Sequence, residues 1–292
     1  MFSTAHYALG ANVENLVLQG SADLQGYGND LANVLVGNTG NNILNGGTGA
    51  DLMIGGAGND AYFVDGGDAV IENASEGTDF VFSTTHYGLS ANVENLVLLG
   101  SDDLQGYGNE LGNALYGNTG NNILNGEGGA DVMRGGAGND IYFVDDPGDL
   151  VFEGLNQGTD VVFSTANYTL LANVETLVLQ GSGNLSGTGN SGANGIGGNS
   201  GNNILDGGAG ADVLVGNAGN DTFVFHAGQG NGDLVVDFAS GADSLQFVGY
   251  GTGATFTTVD AAHWQINYSG GTETIAFMGG ASIQASDFFF IT

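Results

Sequence analysis

GGTGADLMIGGAGNDAYF (46–63) is two nine-residue units in unbroken register, each a Gly-rich loop of six residues closing on Asp and followed by an apolar triplet. The pair recurs as GEGGADVMRGGAGNDIYF (126–143) and GGAGADVLVGNAGNDTFV (207–224). The shared pattern is G-G-x-G-x-D-x-U-x, with U a large apolar residue. No helix survives such glycine density, at roughly 1 kcal/mol per Gly. The glycines supply the left-handed backbone that tight loops need. Triplets such as Leu52-Met53-Ile54, Ile43-Leu44-Asn45 and Ile141-Tyr142-Phe143 read as short strands. One loop plus one strand makes half a coil, so residues 18 apart in sequence stack, and successive coils pair as parallel strands about 4.8 Å apart. Alternation then turns U inward and its two neighbours outward, as for Val34 and Val36 or Leu52 and Ile54. The apolar outer stripe this predicts is either a binding surface or the seat of the connector segments.

The nonapeptides sit inside a longer repeat. Phe2–Asp65 aligned on Phe82–Asp145 leaves 14 mismatches in 64 positions, and a more divergent third copy runs from Phe163 to Phe225. Each copy opens on FST-x-x-Y, passes through ANVENLVL or ANVETLVL and closes on the nonapeptide pair. Such a period implies a stack in which each unit buries its face against the next. The expected fold is therefore all-β. It is a parallel β-roll or β-helix solenoid over 1–225, in repeats 2–81, 82–162 and 163–225, followed by a non-repetitive C-terminal β cap over 226–292. The C-terminal region differs in texture, carrying the single Trp264 and ending ASDFFFIT (285–292).

The loops also carry a metal chemistry. Calcium takes roughly six to eight oxygen ligands from carboxylates and backbone carbonyls in adaptable geometry. A glycine loop can turn carbonyls inward while its sixth residue adds a side-chain oxygen. Stacking at 18 residues pairs sixth positions as Asn33 with Asp51, Asn42 with Asp60, Asn113 with Asp131, Asn122 with Asp140, Asn194 with Asp212 and Asn203 with Asp221. These twelve residues are the candidate metal ligands. Each pair brings one formal charge, so binding is expected to be weaker than at a site with two aspartates. The competing reading of each Asn is a turn-former with no metal, since Asn tolerates left-handed backbone.

On these residues the chain resembles the RTX, or haemolysin-type calcium-binding, family, as the C-terminal β-roll region of a type I secreted protein. The resemblance implies several calcium ions, export as an unfolded calcium-free chain, and folding outside a Gram-negative cell. Glu127 and Asn217 depart from the pattern, each replacing a loop glycine. Asp287 followed by Phe288-Phe289-Phe290-Ile291 looks like a type I secretion terminus; the plainer reading is a cap over the last coil's strand edge.

Composition narrows the partners. The chain has 32 acidic residues against the single basic Arg134, a net charge of −31. Charge of that density reads first as disorder, but 41% hydrophobic residues at regular intervals supply a core. Self-repulsion of the carboxylates opposes folding, and counter-cations relieve it. Nucleic acid and anionic membranes are not expected partners, and no apolar run is long enough for a membrane span. With no cysteine there is no disulfide framework. The N-terminus lacks the basic and apolar regions of a cleaved signal peptide.

No catalytic constellation stands out, and the chain is not expected to be an enzyme. Gly187, Gly189 and Gly192 match G-x-G-x-x-G without a strand–helix unit around them, and read as solenoid glycines. His6 and His86 hold equivalent repeat positions that the third copy fills with Asn167, which points to a shared structural role. Asp102-Asp103 and Asp145-Asp146 read as a solvated rim or as calcium contacts. The favoured function is a calcium-dependent folding and export module of a larger protein with its effector upstream, engaging secretion machinery through the C-terminus. The alternative is a calcium-stiffened adhesin or surface-layer rod with a cell-surface or matrix partner. More remote is an enzyme on extracellular polymers.

Overall fold

A computed structural model describes residues 1–291. Every regular element among them is a β-strand, mostly two to five residues long. The chain divides into two compact units, Met1–Leu150 and Val151 onward.

In the first unit consecutive strands alternate between facing sheets, so that one strand and one loop make half a coil. One sheet runs Phe2–Ser3, Asn15–Leu18, Val34–Val36, Leu52–Ile54, Ala69–Ile71, all parallel. Opposite it lie Tyr7–Ala8, Gln25–Asn29, Ile43–Gly47, Ala61–Val64 and Phe80–Ser83, continuing to Asn95–Leu98, Ala114–Tyr116 and Val132–Arg134. Through the nonapeptides the register is the expected 18 residues: Gln25 lies beside Ile43, and Ile43 beside Ala61. Elsewhere the coil length flexes. Val17 sits beside Phe2 and Asn15 beside Val34, which makes turns of 15 and 19 residues through the ANVENLVL segment.

Strand alternation holds. In the triplets the central residue is buried and its neighbours are half-exposed, as in Val34–Val36 and Leu52–Ile54. Leu35, Leu44, Met53, Tyr62, Leu115, Leu124, Met133 and Tyr142 are fully buried and fill the space between the sheets. The ANV corner recurs because its second residue must enter left-handed backbone: Asn12, Asn92 and Asn173 all have φ between 63° and 67°. Glu127 and Asn217, the two departures from glycine, also sit at positive φ, 60° and 66°, so the loop shape survives the substitution at a cost in backbone strain.

The second unit repeats the scheme. One sheet runs Val161–Ser164, Thr176–Leu179, Gly195–Gly197, Val213–Val215, Leu234–Val235, Gly271–Phe277; the other runs Tyr168–Thr169, Ser186–Thr188, Ile204–Asp206, Thr222–His226, Ser244–Val248, Phe288–Ile291. The C-terminal region departs from the coil where Thr255–Thr258, His263–Tyr268 and Gly271–Phe277 form an antiparallel meander. The final strand Phe288–Ile291 returns to pair in parallel with Ser244–Val248. Of the expected secretion terminus 285–292, Thr292 lies outside the described residues. Gly187 stands within the strand Ser186–Thr188 of this sheet, as expected of a solenoid glycine. The repeat-equivalent His6, His86 and Asn167 do one job: each accepts the backbone N–H of the residue 19 positions on, Gln25, Gln105 and Ser186, at 2.8–2.9 Å.

Candidate metal centre

All six anticipated pairs meet. The Oδ1 atoms of Asp51, Asp60, Asp131, Asp140, Asp212 and Asp221 accept the backbone N–H of Asn33, Asn42, Asn113, Asn122, Asn194 and Asn203, at 2.5–2.8 Å. All twelve residues are buried. The pairing runs through the Asn backbone, however, and not through its side chain.

The Asn side chains are engaged within their own loops. Each Oδ1 accepts the N–H of the residue four positions earlier, at 2.7 Å. That residue is itself Asn in every case: Asn29, Asn38, Asn109, Asn118, Asn190 and Asn199. Each of these amides in turn donates to two carbonyls of the preceding turn, for example Asn109 to Ser90 and Val93, and Asn199 to Gln180 and Gly183. The upper loops are thus G-N-x-x-x-N turns closed by amide hydrogen bonds. The recurring second Asn was visible in the sequence, and its role was not.

The lower loops differ. Oδ2 of Asp51, Asp60, Asp131 and Asp212 is buried and has no hydrogen-bond partner. Each points at the first glycine of its own loop; a Cβ on Gly46, Gly126 or Gly207 would stand 2.0–2.4 Å from that oxygen. Burying a charged oxygen without a partner is costly, so this atom calls for a proton or a cation. A second carboxylate arrives from one coil below. Asp68, Asp79, Asp149, Asp233 and Asp243 accept, through Oδ1, the backbone N–H of Asp51, Asp60, Asp131, Asp212 and Asp221, at 2.7–3.0 Å. The candidate site therefore holds two stacked carboxylates, where the sequence alone offered one. This donor set, hard carboxylate oxygens beside glycine loops, fits calcium.

The electrostatics agree. Burial pushes Asp60 and Asp131 up to about 7, with the neighbouring Asp79 and Asp149 charges adding to the effect. Burial likewise raises Asp233 to about 7 and Asp79 to about 6, and lifts Asp51, Asp212 and Asp221. Without metal, the folded chain therefore holds protons that the unfolded chain has released. Its stability is expected to fall as pH rises from about 4, where unfolded carboxylates ionise, through about 7. In calcium-stripped buffer the chain should retain more of its β circular dichroism at pH 5 than at pH 7.5. The reverse order would refute the assignment of these carboxylates as strained when ionised.

Of the paired acids, Asp103 and Asp146 accept the backbone N–H of Asn121 and Gly148, at 2.7 Å each. Both are loop contacts at the rim.

The family model of the RTX calcium-binding nonapeptide repeat matches four times, at 27–62, 107–142, 188–223 and 197–232. No curated protein matches the chain. Among solved structures, the extracellular lipase LipA from Serratia marcescens aligns at 17% identity over 94% of this chain, with a TM-score of 0.28. The aligned region is 40% of the lipase chain's length.

Proposed function

The chain belongs to the RTX calcium-binding nonapeptide repeat family, and from that premise we propose that it is a calcium-driven folding module of an exported protein. The observation that carries this reading is the set of buried, partnerless carboxylate oxygens on Asp51, Asp60, Asp131 and Asp212. Each belongs to an Asp whose own backbone N–H is already donated to the carboxylate one coil below. Calcium supplies the positive charge that makes these burials favourable, and the unfolded chain has no comparable site. In this reading Asp51, Asp60, Asp131, Asp140, Asp212 and Asp221 are ligands, joined by the carboxylates one coil below. Asn33, Asn42, Asn113, Asn122, Asn194 and Asn203 close metal-free turns. Calcium is scarce inside cells and abundant outside, so the chain would stay unfolded until export.

The C-terminus supports the same order of events. Asp287 is buried, and its carboxylate accepts Ser240 Oγ at 2.6 Å and the N–H groups of Gln284 and Gly241 at 2.8 and 3.3 Å. With Phe288–Ile291 locked in a sheet, a secretion apparatus could read this terminus only before folding. The test is export of a reporter fused ahead of this chain through a type I system, with and without residues 285–292. Loss of export on deletion, together with a wild-type reporter that reaches the medium and folds only when calcium is present, is the expected result. Undiminished export of the deleted form would overturn the export role.

A further inference from the structure

Nothing in the nonapeptide pattern accounts for Glu72. It lies just beyond the strand Ala69–Ile71, in the connector, yet it is only 5% exposed. Its side chain reaches inward to the loop of the nonapeptide above. Oxygens of Asp60, Glu72 and Asp79 all lie within 4.8 Å of one another, and all three residues are buried. Tyr62, fully buried in the core, donates its hydroxyl hydrogen to Glu72 Oε1. Asp79 Oδ1 accepts the Asp60 N–H at 2.7 Å. Asp60 Oδ2 and Glu72 Oε2 are buried without a hydrogen-bond partner. Gly55 is what lets these groups converge: a Cβ there would lie 2.0 Å from the Tyr62 hydroxyl, 2.2 Å from Asp60 Oδ2 and 2.6 Å from Glu72 Oε1.

We propose that Asp60, Glu72 and Asp79 form a three-carboxylate calcium site, with Glu72 an added ligand and Tyr62 the residue that positions it. This rests on the calcium reading above and deepens it. Calcium affinity in oxygen sites rises with the number of charged ligands, so a third carboxylate makes this site tighter than the two-carboxylate sites at Asp51 and Asp131. The chain supplies its own contrast. The third repeat carries Phe223 in place of Tyr62. There the inward acid is the shorter Asp237, whose two oxygens accept the N–H groups of Gly216 and Asn217 at 2.8 and 2.7 Å. There both oxygens of the inward acid are held by backbone N–H groups; beside Tyr62, Glu72 keeps one bare oxygen next to Asp60 and Asp79. In sequence the full set returns in the second repeat as Asp140, Tyr142, Glu153 and Asp160.

The test is calorimetric titration of the full chain with calcium, in competition with a chelator, for wild type, Glu72→Gln, Tyr62→Phe and Asp51→Ala. Glu72→Gln keeps the size of the side chain and removes its charge. It should take one ion out of the tightest class, weakening that ion at least tenfold. Tyr62→Phe should keep the ion count and weaken the same ion by roughly tenfold, as loss of a supporting hydrogen bond does. Asp51→Ala should leave the tightest class intact. If wild type binds calcium and Glu72→Gln gives the same isotherm, the three-carboxylate site is wrong while the loop sites stand. If wild type binds no calcium, both fall together. Should Glu72→Gln be unfolded at all calcium concentrations, Tyr62→Phe decides alone, and an unchanged isotherm for it overturns the proposal.

Discussion

With calcium stripped from neutral buffer the chain is expected to lose most of its β circular dichroism. Restored calcium should recover it, and magnesium at the same concentration should recover little. The four partnerless carboxylate oxygens on Asp51, Asp60, Asp131 and Asp212 set the scale. At 100 times its dissociation constant, one ion stabilises the folded chain by roughly 2.7 kcal/mol. Four such sites contribute roughly 11 kcal/mol, as much as the whole net stability of an ordinary domain. Without metal these carboxylates must either bind protons or be buried as bare charge, and the balance turns against folding. Magnesium demands stricter octahedral geometry and gives up its water reluctantly, so loops of this kind suit it badly. A full β signal in calcium-stripped buffer at neutral pH would overturn the reading.

The architecture was legible because the nonapeptides impose two periods at once. Alternation buried Met53 and Tyr62 and left Leu52 and Ile54 half-exposed, and the 18-residue period brought Asn42 to Asp60. The second carboxylate of each site was hidden for a physical reason. Asp68, Asp79, Asp149, Asp233 and Asp243 follow their partners by 17, 19, 18, 21 and 22 residues, so no fixed period reaches them. The strands stay in register while the connectors vary in length, and the acid that lands beneath each loop does so by three-dimensional stacking. The expectation of one charge per site followed from looking only upward, toward the Asn. Glu72 was harder still, because it enters from the far end of a strand and its partner, Tyr62, looks from the sequence like any other core aromatic. The asparagines stand where the 18-residue stack puts them, and their side-chain oxygens close the loops by accepting the N–H four residues back.

Truncation after Phe225 should raise the calcium concentration needed for folding, or leave the protein as soluble oligomers. The cut removes one strand partner of Thr222–His226, the strand Ser244–Val248, together with Asp233 and Asp243, the acids stacked beneath Asp212 and Asp221, and all of the aromatic cluster at this end of the second unit except Phe225. Phe247 is the centre of that cluster. Its ring lies 4.8–5.9 Å from those of Phe256, Phe290, Phe225 and Tyr250. The cap is also locked by a buried carboxylate of a different kind. Glu273 accepts the N–H groups of Gly228 and Gly230 at 2.6 and 3.2 Å, and the hydroxyls of Tyr250 and Tyr268 at 2.7 and 2.6 Å. This acid is held by four donors within the protein, unlike the bare oxygens of the loops, so the cap's stability should depend less on calcium than theirs. Each fully buried Phe contributes up to roughly 3 kcal/mol, and the loss of several bares both apolar surface and a strand edge open to further pairing. Phe247→Ala offers a milder cut through the same cluster and should cost roughly 3–5 kcal/mol. Calcium titrations followed by circular dichroism, with size-exclusion chromatography at each end point, read both effects. If the truncated chain folds as a monomer at the wild-type calcium midpoint, residues 226–291 are an appendage to the roll, and the stack closes its last coil without them.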